Sequence, residues 1–513
     1  MKKILIISAL LSALTLTGCK DFLVQEPITS QSTEQLLSEY NGLNNATFGA
    51  YSPLASNSWY GGTYFILDAD TKAGLAAWPV SSDFQSGRMM TGFTLAYNEN
   101  STWGLWSYAY YVISAANNVL EQLDLNGEEL VSSFVTQEDL DNLRAECLFL
   151  RALSHFDLLR SYSTSTDPEN GVPVILITDK TSTEQPARNT IREVYDQIEK
   201  DLTEAEGLMS DDYTRSGVAD ARAVASPGAI KALLARVYLY DATFSNDAAK
   251  WQLAADYATE VIDSGDYTMW TADEYSEVWG NEVGSGEVIF EVYGVKANGY
   301  DAYWEAPTHM TNPNGYADVC ASPKIYEAYE DGDVRGVMGK RQGVGANDDG
   351  SMFCTVDGSD DYWTMKYPGK GLGDVTGTPD QNNTIVLRLS EMYLIRAEAT
   401  LNGANTGVSA QSDLNMIRSN RGASTKAAGY QAIWEEYMLE FCFEGQYWFT
   451  TARMATSGNA NYNFAQITYT NTNDEASRRG STGISGADNR FWAMPISRSE
   501  RDVNPNLKQT KGF

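Results

Sequence analysis

Between Asp139 and Tyr162 the apolar residues Leu140, Leu143, Cys147, Leu150 and Leu153 recur at steps of three and four, with Arg144, Glu146 and Arg151 between them. This spacing places the apolar set on one face and predicts a half-buried helix. Ser226-Pro227-Gly228-Ala229-Ile230 reads as another helix start, because a serine oxygen accepts from free first-turn N–H groups and proline is preorganised at the first helical position. The stripe Ile230, Leu233, Val237 and Tyr240 continues it, and a second helix after Asn246 carries Trp251, Ala254, Ala258 and Val261 before stopping near Gly265. The two form an antiparallel pair close in length to the ~34-residue tetratricopeptide unit. A further pair is predicted from Leu389, with Ser390 as cap, Leu389 and Leu394 as a hydrophobic staple, Gly403 as the stop, and Gln411 to Ser419 as the second helix. Segments 107–122 and 190–206 add more helix.

Three stretches lack that period. Residues 56–106, 266–387 and 455–490 are rich in Gly, Asn, Asp, Thr and aromatics, with a short strand predicted at Glu287 to Tyr293. Loops this long in a compact chain are usually functional. The predicted class is mainly α: a tetratricopeptide-like scaffold of helical pairs with long irregular insertions forming the ligand-binding side.

The N-terminus follows a different pattern. Met1-Lys2-Lys3 precedes an apolar run from Ile4 to Leu16, which has the build of a secretory signal peptide and is too short to span a bilayer. The run ends in Leu16-Thr17-Gly18-Cys19, where a small-residue pair directly before cysteine matches a bacterial lipobox, whereas a plain cleavage site prefers an A-x-A-like end. The expectation is a signal peptide over 1–18 and a single body over 19–513, lipidated at Cys19 and held to the membrane by its lipid alone. Lys20, rather than Asp, disfavours retention at the inner membrane.

Sixty-eight acidic against 37 basic residues give a net charge of -31, which argues against nucleic acid or anionic lipid as a partner. The five cysteines include no CxxC pair or Cys/His cluster, so zinc is not expected; no metal or cofactor site is assigned from the sequence. Cys147 and Cys442 lie in apolar helical sequence and read as buried hydrophobes, while Cys320 and Cys354 lie in loops and leave a disulfide open. Of the two histidines, His155 sits in the predicted helix 139–162 and reads as a satisfied helical histidine, leaving little basis for a Ser-His or Cys-His enzyme.

Several ordered motifs carry a family resemblance. Leu143-Arg144-Ala145-Glu146-Cys147-Leu148-Phe149-Leu150-Arg151-Ala152 looks like an AExxFLRA helix, and Arg388-Leu389-Ser390-Glu391-Met392-Tyr393-Leu394-Ile395-Arg396-Ala397-Glu398-Ala399 like an RLSEMYLIRAEA signature. Phe443-Glu444-Gly445-Gln446-Tyr447-Trp448 is similar to an FEGxRW element, and Met494-Pro495-Ile496 and Asn504-Pro505-Asn506-Leu507-Lys508-Gln509 to PIP and NPNLxQN patterns. Together with the lipobox they resemble the SusD-like (RagB/SusD) family of outer-membrane nutrient-binding lipoproteins over nearly the whole length. Glu436-Tyr437-Met438 stands where the family usually has ERR, and Tyr447 and Thr450 replace its usual Arg and Asp, so an ion-pair network common to the family is not expected to be intact here.

The resemblance implies a non-catalytic, cell-surface lipoprotein that binds oligosaccharide and delivers it to a TonB-dependent outer-membrane transporter. It places the ligand groove among the loops before the helix that Trp106 opens and a loop from mid-chain. Trp106 itself resembles a packing residue. Trp78 and Trp103, beside the turn formers Pro79, Ser81, Asn98 and Asn100, are expected to be exposed, and flat aromatic rings suit stacking on the C–H face of a sugar. Asp70 and Arg88 lie near positions where relatives use polar groups on saccharide hydroxyls, and Tyr303 and Trp304 are expected to form the opposite wall. The alternatives are a peptide-binding member of the same family, a glycoside hydrolase, which needs only two carboxylates at a set separation, and a structural partner of the transporter.

Overall fold

The computed structural model describes residues 36–80, 89–178, 184–218, 220–280, 286–293, 306–313, 315–342, 347–369, 382–469 and 482–513. Cys19, Arg88, Tyr303 and Trp304 lie outside the described residues.

The helical scaffold runs through α1 (Tyr40–Tyr51), α2 (Leu105–Leu130), α3 (Gln137–Tyr162), α4 (Ile191–Leu208), α5 (Pro227–Ser245), α6 (Ala248–Asp263), α7 (Leu389–Leu401), α8 (Ala410–Asn420), α9 (Tyr430–Phe441) and α10 (Gln446–Thr456). Local chemistry starts and stops several of these helices. Thr136 and Asp139 close a capping box at α3, with Asp139 N–H donating to Thr136 Oγ1 at 3.1 Å and Thr136 N–H to Asp139 Oδ2 at 2.8 Å. Thr190 and Glu193 do the same at α4. Ser226 accepts from Ala229 N–H at 3.1 Å ahead of Pro227, and Asn246, with φ of 54°, ends α5 in the left-handed region. Ser390 is not a cap. The chain passes straight from strand into helix at Arg388, so Ser390 falls inside the first turn and its hydroxyl accepts from the Arg388 guanidinium instead.

From α2 to α8 each helix packs on the next. Although the chain leaves the array after α6, α7 returns directly onto α6, so the array is continuous in space where it is broken in sequence. In the excursion, β1 (Ala76–Ala77) pairs with β3 (Cys320–Ala321), and β2 (Val288–Val292) pairs antiparallel with β4 (Thr384–Arg388), realising the strand expected at Glu287 to Tyr293. Helix α3 is more central than its pattern predicts, since every residue from Ala145 to Tyr162 is buried. Its charged residues survive burial because each is paired: Arg151 forms a two-pronged pair with Asp201 at 2.7 and 2.8 Å, Glu146 meets Arg215, and Arg160 meets Asp157 at 2.7 Å.

A buried ion-pair network is present in this region, built from residues other than those that depart from the family motifs. Glu440 on α9 accepts from Arg388 Nη1 at 2.6 Å, Arg421 Nη2 at 2.6 Å and Arg335 Nη1 at 2.9 Å, and every one of these side chains is buried. Arg388 also donates to Glu444 Oε2 at 2.8 Å, Arg421 to Glu287 Oε1 at 2.6 Å, and Lys366 to Glu444 Oε1 at 2.6 Å. The cations come from positions remote from the altered triplet, which the motif comparison does not weigh. Their effect is to clasp the excursion to α9 and the turn that follows it.

The described cysteines are all free and buried. Cys320 Sγ donates to Ala77 O at 3.3 Å and Cys354 Sγ lies 3.3 Å from Ser351 Oγ, so the disulfide left open between them is not formed. In a soluble body starting at Lys20, thiol titration is expected to find no reactive cysteine in native buffer and four in denaturant; fewer than four would reveal a disulfide.

Candidate functional site

The aromatic-rich segment before α2 folds mostly inward. A π-helical turn at Thr63–Leu67 leads into a short helix, Asp68–Lys72, that packs on α10. Trp103 is only 2 % exposed. Its indole N–H donates to Asp68 Oδ2, which also accepts from the Tyr97 hydroxyl. One helical turn on, the Lys72 ammonium lies 3.9 Å from the Trp448 ring centroid, 5.0 Å from that of Tyr97 and 5.1 Å from that of Trp103. Burial brings the lysine down to about 7 against the opposing pull of Asp68. The expected exposure of Trp103 is therefore corrected: its ring forms one wall of an internal cage around a buried cation, a role set by Asp68 and Lys72 rather than by the turn formers beside it.

Asp70 is fully buried as well, accepting from the Gly445 N–H at 3.0 Å, and burial pushes its carboxyl up to about 8. Gly445 adopts φ of 73°, so the Phe443-Glu444-Gly445 turn is seated on Asp70. Asp70 positions backbone and does not line a surface. His155 is satisfied inside α3, with Nδ1 3.0 Å from Arg151 O and Nε2 accepting from Ile175 N–H at 3.3 Å.

Trp78 behaves differently. It follows β1, is half-buried, and its indole lies parallel to the buried Phe93 ring, with 6.1 Å between centroids and 8° between planes. Phe93 sits on the short helix Met90–Thr94, which Asp68 supports: a Cβ at Gly92 would fall 1.9 Å from Asp68 Oδ1. The backbone after Trp78 is pinned by Val80 N–H donating to Asp361 Oδ1 at 3.0 Å, and Ala321 N–H donates to Tyr362 O at 2.7 Å, joining β3 to the same strip. Half-buried Tyr362 packs against Tyr326 with 5.1 Å between rings. The arrangement is an aromatic platform held from behind by a second ring and from the side by a carboxylate, with few rotamers left to lose when a ligand lands on it.

The structure leaves Trp78 half-buried and sends Asp70 and Trp103 into the interior. Asp361 and Tyr362 are supporting residues that sequence reasoning missed; their only signal was a place in the long irregular stretch 266–387. Among the described residues, no His, Cys, Asp and Glu side chains group as a metal site, and no helix is long and apolar enough to cross a membrane.

Residues 21–239 match a family model described as starch-binding, associating with the outer membrane, and residues 359–513 match the SusD family model. A SusD-like protein, P2, from Formosa agariphila is 22% identical over 484 residues, covering 86% of this chain and 88% of its own. A crystal structure from Bacteroides vulgatus superposes with a TM-score of 0.74 at 22% identity, covering 93% of this chain and 99% of the other. A laminarin-binding SusD-like protein superposes with a TM-score of 0.66 at 22% identity, covering 92% and 99%. The first match takes in α1 to α4 and most of α5, and the second takes in the end of the excursion and α7 to α10. The chain belongs to the SusD/RagB family of outer-membrane-associated, non-catalytic binding proteins.

Proposed function

We propose that this protein is a cell-surface lipoprotein, tethered through Cys19 as a single body over 19–513, that captures oligosaccharide on Trp78 and hands it to a TonB-dependent outer-membrane transporter. The observation that carries the reading is the half-buried Trp78 ring backed in parallel by Phe93, in a family one of whose structural neighbours binds laminarin. Arg88, Tyr303 and Trp304 are the further contacts proposed from sequence; Asp70 and Trp103 act from behind the surface. A neutral glycan suits a chain of net charge -31, which is not drawn to polyanions.

Calorimetry of the soluble body against laminarin and a panel of neutral polysaccharides and peptides tests this. Binding to at least one glycan is expected, weakened about 10- to 100-fold by Trp78→Ala, the range set by loss of one stacked aromatic. Peptide binding without glycan binding, or an unaffected Trp78→Ala variant, refutes it.

A further inference from the structure

A cleft of about 620 Å³ opens where α5, α7 and α10 end together. It shares no lining residue with the Trp78 platform, and its size falls within the roughly 300–1,000 Å³ of small-ligand sites. Asn246 follows α5 in the left-handed conformation, Asn402 follows α7, and Ser457 follows α10, before Asn459 and Asn461 form the next turn. Each of these residue types suits a helix end or a turn. Their meeting in one cleft, around the single aromatic ring of Tyr430, is a property of the fold.

The ring and one amide are held from behind. The half-buried Tyr430 donates its hydroxyl to Leu401 O at 2.7 Å and meets the buried Tyr462 edge to face, with 5.5 Å between centroids and 89° between planes. The Tyr462 hydroxyl donates to Glu398 Oε1 at 2.7 Å and accepts from Asn402 Nδ2 at 3.2 Å, and Glu398 is itself paired with Arg453 at 2.7 Å. Asn402 Nδ2 also donates to Glu398 O at 2.9 Å, so that amide spends its protons inward and keeps Oδ1 as an acceptor. Asn459 Oδ1 accepts from Asn461 N–H at 2.9 Å, which leaves the Asn459 NH2 as a donor. Among the described residues, the Asn246 and Asn461 amides make no hydrogen bond to protein.

Charge narrows what could fill the cleft. Among the described residues no charged side chain lines it, on a chain of net charge -31. A divalent cation would find no carboxylate there, and an anion would meet the negative ends of three helix dipoles. The last carbonyls of a helix are acceptors with no intrahelical donor, and each amide adds an acceptor and two donors without charge. An uncharged, hydroxylated ring matches that set, its C–H face on Tyr430 and its hydroxyls on the amides. We propose that this cleft is a second saccharide site, taking a neutral hexose unit of an oligosaccharide. It shares the ligand class of the proposed function and does not depend on Trp78.

The test is calorimetry of the soluble body carrying Trp78→Ala, which silences the platform, against laminari-, malto-, cello- and mannohexaose, alongside crystals of that variant soaked in the same sugars. A weak saturable isotherm with at least one of them, and a pyranose ring stacked on Tyr430, are expected. Adding Asn246→Gly and Asn461→Ala removes two amides while glycine keeps the left-handed position, and is expected to leave the melting temperature unchanged and weaken the residual binding about tenfold. Adding Tyr430→Ala instead is expected to abolish it. Sugar binding lost in Tyr430→Ala alone and unaffected in Trp78→Ala alone would refute the platform and keep this site. No residual binding by Trp78→Ala, sugar seated elsewhere in the crystal, or an amide variant that binds as tightly as Trp78→Ala alone, overturns the proposal.

Discussion

Replacing Glu440 with alanine is expected to cost the body about 3–5 kcal/mol, the range for removing one partner from a buried ion pair, and to lower its urea midpoint accordingly. The cost comes from what is left behind. Glu440 is the shared acceptor of Arg335, Arg388 and Arg421, and its removal leaves three buried guanidinium groups with fewer counter-charges than before. Glu440→Gln keeps the shape but not the charge and is expected to fall in the same range. Alanine at Glu260, whose partner Lys231 is 2.9 Å away at the surface, should change stability by less than about 1 kcal/mol. The same residue sets an acid limit. Burial alone would raise the Glu440 carboxyl, but Arg421, Arg388 and Arg335 outweigh it and hold it well below its ordinary 4.5. A carboxylate depressed in the folded state contributes its full stability above the unfolded value and loses it as pH falls toward the native one. Unfolding of the parent should therefore ease progressively below about pH 4.5, and the Glu440→Gln variant should lack that share of the slope. A variant within 1 kcal/mol of the parent at neutral pH would show that the clasp carries little stability.

The same residues show what a sequence can and cannot convey. The helices were legible because caps and stripes are local: Ser226 acts three residues ahead on Ala229. The ion-pair network was not legible because its members are far apart, with Arg388 bonded to a carboxylate 52 residues away and Arg335 to one 105 residues away. Motif comparison saw an altered triplet at Glu436 and could not see cations arriving from the excursion. Ser390 carries the right residue type for a cap but lies two residues too far into the helix, because the strand before it runs on to Arg388. In the candidate site the sequence identified an aromatic-rich segment and could not divide it. Trp78 and Trp103 both neighbour turn formers, yet one stacks on Phe93 at the surface and the other bonds Asp68, 35 residues earlier, in the interior. That division depends on a buried lysine, and nothing in the pattern around Lys72 distinguishes it from a solvated one.

Asp70 separates a structural role from a ligand role by its response to pH. Its carboxyl is raised from 3.8 to about 8, chiefly by burial, with the Gly445 N–H opposing the shift. The folded state therefore holds a proton that the unfolded chain releases above about pH 4, and each pH unit between the two values costs the fold up to about 1.4 kcal/mol. Stability from this group is complete below the unfolded value and falls as pH climbs toward 8. Asp70→Asn has no proton to lose, keeps an acceptor for Gly445, and places an amide where Oδ1 has no hydrogen-bond partner. Between pH 4.5 and 8 the parent is expected to lose about 2–4 kcal/mol relative to Asp70→Asn, read as a crossing of their urea midpoints. Parallel midpoints across that range would mean that Asp70 is ionised in the fold. Glycan affinity at pH 7 should stay within about twofold of the parent, since the carboxyl holds the Phe443-Glu444-Gly445 turn from beneath; a loss comparable to that of Trp78→Ala would return Asp70 to the binding surface.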